Sequence, residues 1–291
     1  MKHPRLRILV ESYYDIQKLR VAVSNRLQMY EKLDVLTPLQ AAKLREIVDG
    51  FMRDEQKLKR EIKGELRGIP VWRWLKTIKG IDAVMAGGLV AWLDDPARAP
   101  HPSSWFRYAG LDVWPYCLAC EEYFDFDWRP SERPKCPKCG AALVGRAPRR
   151  VRGEKAPWNW RLRTHLWKVF KQILQAEKRK GVYKEGAFYG PAYERYKAEE
   201  IEKCRREGLR IVPSEDLPTK GGKKYEPPGV ISVGHVDARA RRRMLKLFLA
   251  HLWVVWRTME GLPVHEPYAA RLGHRVIPPP NWPLKEGKKR G

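Results

Sequence analysis

Apolar positions recur every three to four residues along most of this chain, the period of helices that bury one face. Between Ser12 and Glu31 they fall at Ile16, Leu19, Val23, Leu27 and Tyr30. After a break at Leu33 to Leu36, the run Thr37-Pro38-Leu39-Gln40 has the form of a helix start. Threonine is its N-cap, proline stands in the first turn and glutamine follows three residues on. Leu44, Ile47, Phe51, Leu58 and Ile62 then continue at helical spacing with charges between them. The two stretches predict a helical hairpin, or one arm of a coiled coil, over residues 1–66. No residue there has an evident chemical task, so the element reads as packing or homo-oligomerisation.

Residues 67–112 carry Leu75, Ile78, Lys79-Gly80-Ile81-Asp82, Met85-Ala86 and an apolar run through Leu89 to Leu93, the pattern of a helix-hairpin-helix. In such a turn, N–H groups at the positive end of the second helix can meet a phosphate, with Lys76 and Lys79 adding charge. Asp82 stands where the motif usually has glycine. Its carboxylate opposes a phosphate, or else caps the second helix and leaves the turn a packing device. A proline-rich link from Pro96 leads to Ser103-Ser104, read as the cap of a short helix that ends at Tyr108-Ala109-Gly110-Leu111.

Periodicity breaks down over residues 113–145, where the chemistry is explicit. Cys117-x-x-Cys120 and Cys136-x-x-Cys139-Gly140 offer two pairs of thiolates separated by fifteen residues. That spacing is the signature of a four-cysteine zinc ribbon. Phe124, Phe126 and Trp128 alternate as in a strand folding back. Four thiolates close a tetrahedral site and leave no position for water, so one Zn²⁺ would be structural rather than catalytic. A redox dithiol needs one such pair, and disulfides do not suit a reducing compartment. Cys204, alone in a charged helix, is expected to be a surface thiol.

Beyond the ribbon the sequence turns basic. Residues 146–210 bring Arg146, Arg149, Arg150, Arg152 and Lys155. A helix follows with Leu162, Leu166, Val169, Phe170 and Ile173 inside and Arg161, Arg163, Lys168 and Lys171 outside. Residues 211–234 read as a loop. The last long helix, over 235–262, has an apolar stripe from Val236 to Met259 and Arg239, Arg241, Arg242, Arg243 and Lys246 in its first half. His235 and His251 have no ligand partners at metal spacing and read as packing or capping residues. Residues 263–291 are a tail, basic from Lys285 to Arg290. The fold class is mainly α, with a small inserted β zinc ribbon.

Composition sharpens this. The 291 residues are 43% hydrophobic, enough for a packed core divided among two or three subdomains, yet the formal charge is +24 and the pI near 10.0. Such an excess repels itself unless a polyanion is bound. Nucleic acid is the first expectation, an anionic membrane surface the next, and a merely basic enzyme the bland alternative. Met244 to Trp256, the most apolar run, is too short to span a bilayer and is interrupted by Lys246 and His251. No leader is evident, and a cytoplasmic, nucleoid-associated protein is expected.

The order of Ile78-Lys79-Gly80-Ile81-Asp82, an apolar helix and Tyr108-Ala109-Gly110-Leu111 resembles the C-terminal domain of the insertion sequence 110/116/902 family of transposases. Arg152-Gly153-x-Lys155 and Asn159-x-x-Leu162-Arg163 resemble that domain's later basic stretch and arginine-bearing helix. Ala238 to Trp256 is similar to the terminal helix of related mobile-element proteins, and residues 1–66 would correspond to the family's coiled-coil connector. The resemblance implies a DNA-binding protein of a mobile element. Two features depart from the family. Its RuvC-like nuclease half, with four acidic metal ligands, has no counterpart here, and the zinc ribbon stands where the family keeps a nucleophilic serine. Ser131 does not align with that serine, and no catalytic residue is assigned. Two alternatives are an active recombinase using a separate nuclease chain, with Ser131 or Ser104 as nucleophile, and an RNA-binding zinc-ribbon protein whose tryptophans stack on bases.

Overall fold

The computed structural model describes residues 1–124, 134–147, 153, 156, 158–265 and 276–284. Helices dominate it, as the periodicity predicts. The first two, α1 (Pro4–Lys32) and α2 (Pro38–Leu66), form an antiparallel hairpin. Thr37 caps α2 with both bonds of a capping box: Gln40 N–H donates to Thr37 Oγ1 at 3.3 Å, and Thr37 N–H to Gln40 Oε1 at 2.9 Å.

Along α2 the seam residues Ala41, Leu44, Val48, Phe51, Glu55, Leu58 and Ile62 alternate steps of three and four, a seven-residue repeat that keeps one face on α1. Glu55, buried in this seam, pairs with Arg20. A buried ionic pair stabilises little, because desolvation offsets its attraction. Leu19 and Ile47, both counted in the predicted stripes, lie off the seam and are about half exposed. The far end of the hairpin leaves Leu33, Val35 and Leu39 in solvent. Only its base, through Leu6, Val10, Ile62 and Leu66, enters the main core.

At the centre of that core is α4 (Ala83–Leu93), every residue of which is buried, reached from the short α3 (Trp72–Leu75). A helix apolar all round must be enclosed, and α1, α2 and α6 (Trp160–Glu177) surround it. Its glycines permit the approach: a Cβ on Gly87 would lie 2.7 Å from Ile62, and one on Gly88 would collide with the His165 ring. The outer helices are α5 (Pro102–Tyr108), α7 (Tyr189–Arg206) and α8 (Val233–Met259). Ser103 and Ser104 lie within the first turn of α5, and His101 occupies the N-cap without a side-chain bond, contrary to the expected serine cap. Trp253 and Trp256 of α8 are fully buried with Trp74, Phe248 and Tyr189.

The sheets are small. β1 (Trp114–Cys117), β2 (Glu122–Tyr123) and β3 (Leu143–Arg146) form an antiparallel sheet in the order β2-β1-β3. A hairpin of β4 (Lys178–Arg179) and β5 (Val182–Tyr183) joins α6 to α7. The expected loop at 211–234 instead holds β6 (Arg210–Val212), the β7 (Thr219–Lys220) and β8 (Lys223–Lys224) hairpin, and β9 (Val230–Ser232) parallel to β6. Its proline, glycine and lysine content concealed strands only two or three residues long. Cys204, expected on the surface, is buried with Ile231 and Val236 where this sheet meets α7 and α8.

The expected tail is likewise divided. Residues 276–284 strap back onto the body: Trp74 Nε1–H donates to Pro280 O at 2.8 Å, and Trp282 and Leu284 pack on the core. His251 joins the strap to α7. Its Nε2 faces Ile277 O at 2.9 Å, and a carbonyl only accepts, so Nε2 carries the proton and Nδ1 accepts from Tyr189 Oη–H at 3.0 Å. Burial lowers its pKa to about 4. Glu177, also buried, accepts from the Phe188, Tyr189 and Gly190 amides at the start of α7. Among the described residues, no helix is long and apolar enough to cross a membrane.

Candidate zinc centre and nucleic-acid interface

The four cysteines converge although nineteen positions separate Cys117 from Cys136. Cys117 ends β1, where it pairs with Glu122 of β2 and Leu143 of β3, so the sheet sets the first knuckle beside the second. The Cys120 amide donates to Cys117 Sγ at 3.3 Å, and Gly140 N–H closes the second turn onto Cys136 O at 2.9 Å. Gly140 adopts φ +74°, which only glycine takes freely. All four Sγ atoms lie within 4.8 Å of one another, with Cys117–Cys139 at 3.5 Å and Cys120–Cys136 at 3.8 Å. A tetrahedron with Zn–S near 2.3 Å has edges of about 3.8 Å. The cluster is compatible with one zinc site. Desolvation alone would raise the Cys136 thiol, but the backbone amides of Cys139 and Lys138 bring it down to about 7. The Cys139 side chain and burial push Cys120 up to about 12, so the metal-free cluster favours the thiolate at Cys136 and the thiol at Cys120.

The ribbon is rooted in the helical body at both ends. A Cβ on Gly110 would lie 2.7 Å from the Trp158 ring, and Asn159 N–H donates to Tyr108 O at 2.8 Å. The outgoing strand and the returning chain therefore meet at the start of α6. Arg107 lies over the Trp114 ring at 4.9 Å and Arg146 over Tyr116 at 4.4 Å.

Beside this root, α6 and α8 enclose a recess of about 410 Å³ whose lining includes Leu111, Arg163, Trp167, His235, Arg241 and Arg242. Three arginines named from sequence thus come together across two helices. Arg241 stacks with Cζ 3.5 Å from the centre of the Trp167 ring. Burial lowers the pKa of Arg163, Arg241 and Arg242, and for Arg242 the neighbouring Arg239, Arg163 and Arg241 add to it. All stay charged at neutral pH. Arg241 and Arg242 make no ion pair with any described carboxylate. Asp237, which attracts Arg241, is already engaged by Tyr193 Oη–H and by Lys197 at 3.2 Å.

The other predicted cations are spent differently. Arg243, next in sequence, faces α7 and pairs with Glu199 and Glu200, the latter at 3.1 Å. Arg239 acts near Arg242 and Cys204. Arg161 pairs with Glu11 of α1. Arg149, Arg150 and Arg152 lie outside the described residues, as does Ser131. Ser104 shows no hydrogen-bonded base among the described residues.

The turn expected to hold a phosphate is largely occupied. A Cβ on Gly80 would lie 2.5 Å from Gln172 O, so the turn is pressed against the α6 backbone, and Ile81 is buried. Asp82 Oδ1 caps α4 by accepting from Met85 N–H at 2.9 Å, while Oδ2 holds Lys59 at 2.7 Å. Lys79 donates to Glu185 O, and Lys76 is exposed. Of the two readings of Asp82, helix capping is the one these contacts match.

Sequence reasoning passed over Trp167 and His165. Trp167 is an aromatic among cations on the outer face of α6, a legible signal. His165 falls between Leu162 and Leu166 in the apolar stripe, and it is buried with Nε2 at 2.8 Å from Met85 O and Nδ1 at 3.1 Å from Tyr14 Oη. Burial holds it neutral, at about 4. A scan against protein-family models and a search of the curated proteins each return no match.

Proposed function

We propose that this protein binds nucleic acid, DNA in the first instance, through the arginine recess between α6 and α8, and that it is related to the transposases of mobile elements. The observation that carries the reading is Arg241 and Arg242, partly desolvated and without a described carboxylate partner, lining one concavity with Arg163. Unpaired charge in such a place is unfavourable until an anion enters, and a guanidinium fork suits phosphate oxygens. The net charge of +24 supplies the long-range attraction. The mobile-element relationship rests on the motif order alone.

The zinc ion is a scaffold in this reading. Cys117, Cys120, Cys136 and Cys139 would hold one structural Zn²⁺, and the sheet so stabilised would carry Arg146 at the end of β3. No catalytic step is assigned to this chain.

The test is anisotropy with a labelled duplex across a salt series. The double variant Arg241→Gln/Arg242→Gln should bind at least about tenfold more weakly, with a salt slope shallower by about two. Arg243→Gln should bind as wild type. Unchanged affinity and slope in the double variant would overturn the proposal. Competition between duplex DNA and structured RNA at fixed salt measures the preference between them.

A further inference from the structure

α6 has a second recess on its α1 side, and Thr164 lines both. This one, about 230 Å³, is smaller than the roughly 300–1,000 Å³ of a pocket that swallows a whole ligand. Its walls are flat and aromatic. Tyr14 and Trp92 stack at 6.2 Å with 18° between planes, and Trp160 at the rim is about half exposed with Arg161 Cζ 5.5 Å from the centre of its ring.

Few polar groups here remain available. His165 and Tyr14 Oη satisfy each other, with the second His165 nitrogen on Met85 O, and Glu11 is held by Arg161 and by Arg7 at 3.2 Å. The buried Trp92 Nε1–H has no hydrogen-bond partner among the described residues, and two charged groups of the lining make no ion pair. Lys168 Nζ sits 3.5 Å from the centre of the Tyr14 ring and makes no ion pair with a described carboxylate, and Asp15 makes none with a described cation. A simple anion would enter against Glu11 and Asp15. A purely apolar ligand would leave Lys168 and the buried Trp92 Nε1–H without a polar partner. A flat heterocycle bearing both an acceptor and an N–H edge satisfies walls, cation and carboxylate together.

We infer that this recess takes one unpaired base of the nucleic acid whose backbone lies in the arginine recess, stacked on Trp160, with Lys168 on a base or phosphate oxygen and Asp15 accepting from an amino edge. The inference rests on the proposed nucleic-acid binding. It adds that the protein prefers strands with an unstacked nucleotide over uninterrupted duplex, because a base inside the stack cannot reach between α1 and α6.

The test uses the full chain and two probes of equal length, a perfect duplex and the same duplex with one 2-aminopurine bulge. Wild type should bind the bulged probe about tenfold tighter and quench its fluorescence. Trp160→Ala should reduce that preference while leaving duplex affinity unchanged, and Lys168→Gln should weaken the bulged probe more than the duplex, with melting curves confirming the fold. The Arg241→Gln/Arg242→Gln variant should weaken both probes. Equal wild-type affinity for the two probes, or an equal loss on both in Trp160→Ala, overturns the base recess. If the double arginine variant still weakens binding in that case, the backbone site stands alone. If it weakens neither probe, the proposed function itself fails.

Discussion

The helical body buries Trp74, Trp253, Trp256, Phe248 and the whole of α4 in one apolar cluster, whereas the ribbon's cluster consists of Cys117, Cys136 and Leu143 with Cys120, Phe124 and Ala141 against it. The body can be held by removal of apolar surface from water, roughly 25 cal/mol per Å². The ribbon's cluster is far smaller, and three of its six residues are candidate metal ligands. Stability in one region therefore depends on packing, and in the other it would depend on a metal held by four sulfur atoms.

The largest effect should come from withdrawing the metal. Structural zinc contributes about 10–16 kcal/mol of apparent folding energy in small zinc domains. A chelator, or Cys136→Ser, should unfold the ribbon while far-UV circular dichroism shows most of the helix intact. Joint loss of both would break the comparison and make the two regions one cooperative unit.

Acid should act on the body next. His165 and His251 are neutral when folded, with pKa values lowered to about 4, so the unfolded chain takes up protons first. Their contribution is complete above about pH 6.5 and is lost as pH falls towards 4, by about 3 kcal/mol for each histidine. Denaturant titrations of metal-free protein at pH 7.0 and about pH 4.5 measure it. A flat profile would contradict the neutral, tautomer-fixed rings.

Smaller again is Gly80→Ala. It places a Cβ against the α6 backbone at φ +88° and should destabilise the body by about 3 kcal/mol without changing zinc affinity. The smallest contrast lies within three residues of α8. Arg243→Gln should lower stability by up to about 1 kcal/mol through Glu199 and Glu200, while Arg241→Gln should cost a similar amount through Trp167 and, unlike Arg243→Gln, weaken binding. Thermal melts paired with anisotropy check both.

What the sequence determined by itself was local and periodic. The α2 capping box, the apolar enclosure of α4, the stripes of α6 and α8 and the two C-x-x-C knuckles each need only a few neighbours in the chain, so residue order specifies them. Tertiary structure decided how each side chain is spent. Arg241, Arg242 and Arg243 are indistinguishable in sequence, but one turn of helix directs two to a shared recess and the third to glutamates on α7. Lys79 and Gly80 match a phosphate-binding turn until α6 is packed against Gly80 and Glu185 O takes Lys79. Cys204 appears exposed by its charged neighbours until β9 covers it, and residues 276–284 read as tail because their anchors, Trp74 and His251, are distant in sequence. Burial and charge compensation depend on which surfaces meet, and those meetings lie between segments tens to hundreds of residues apart.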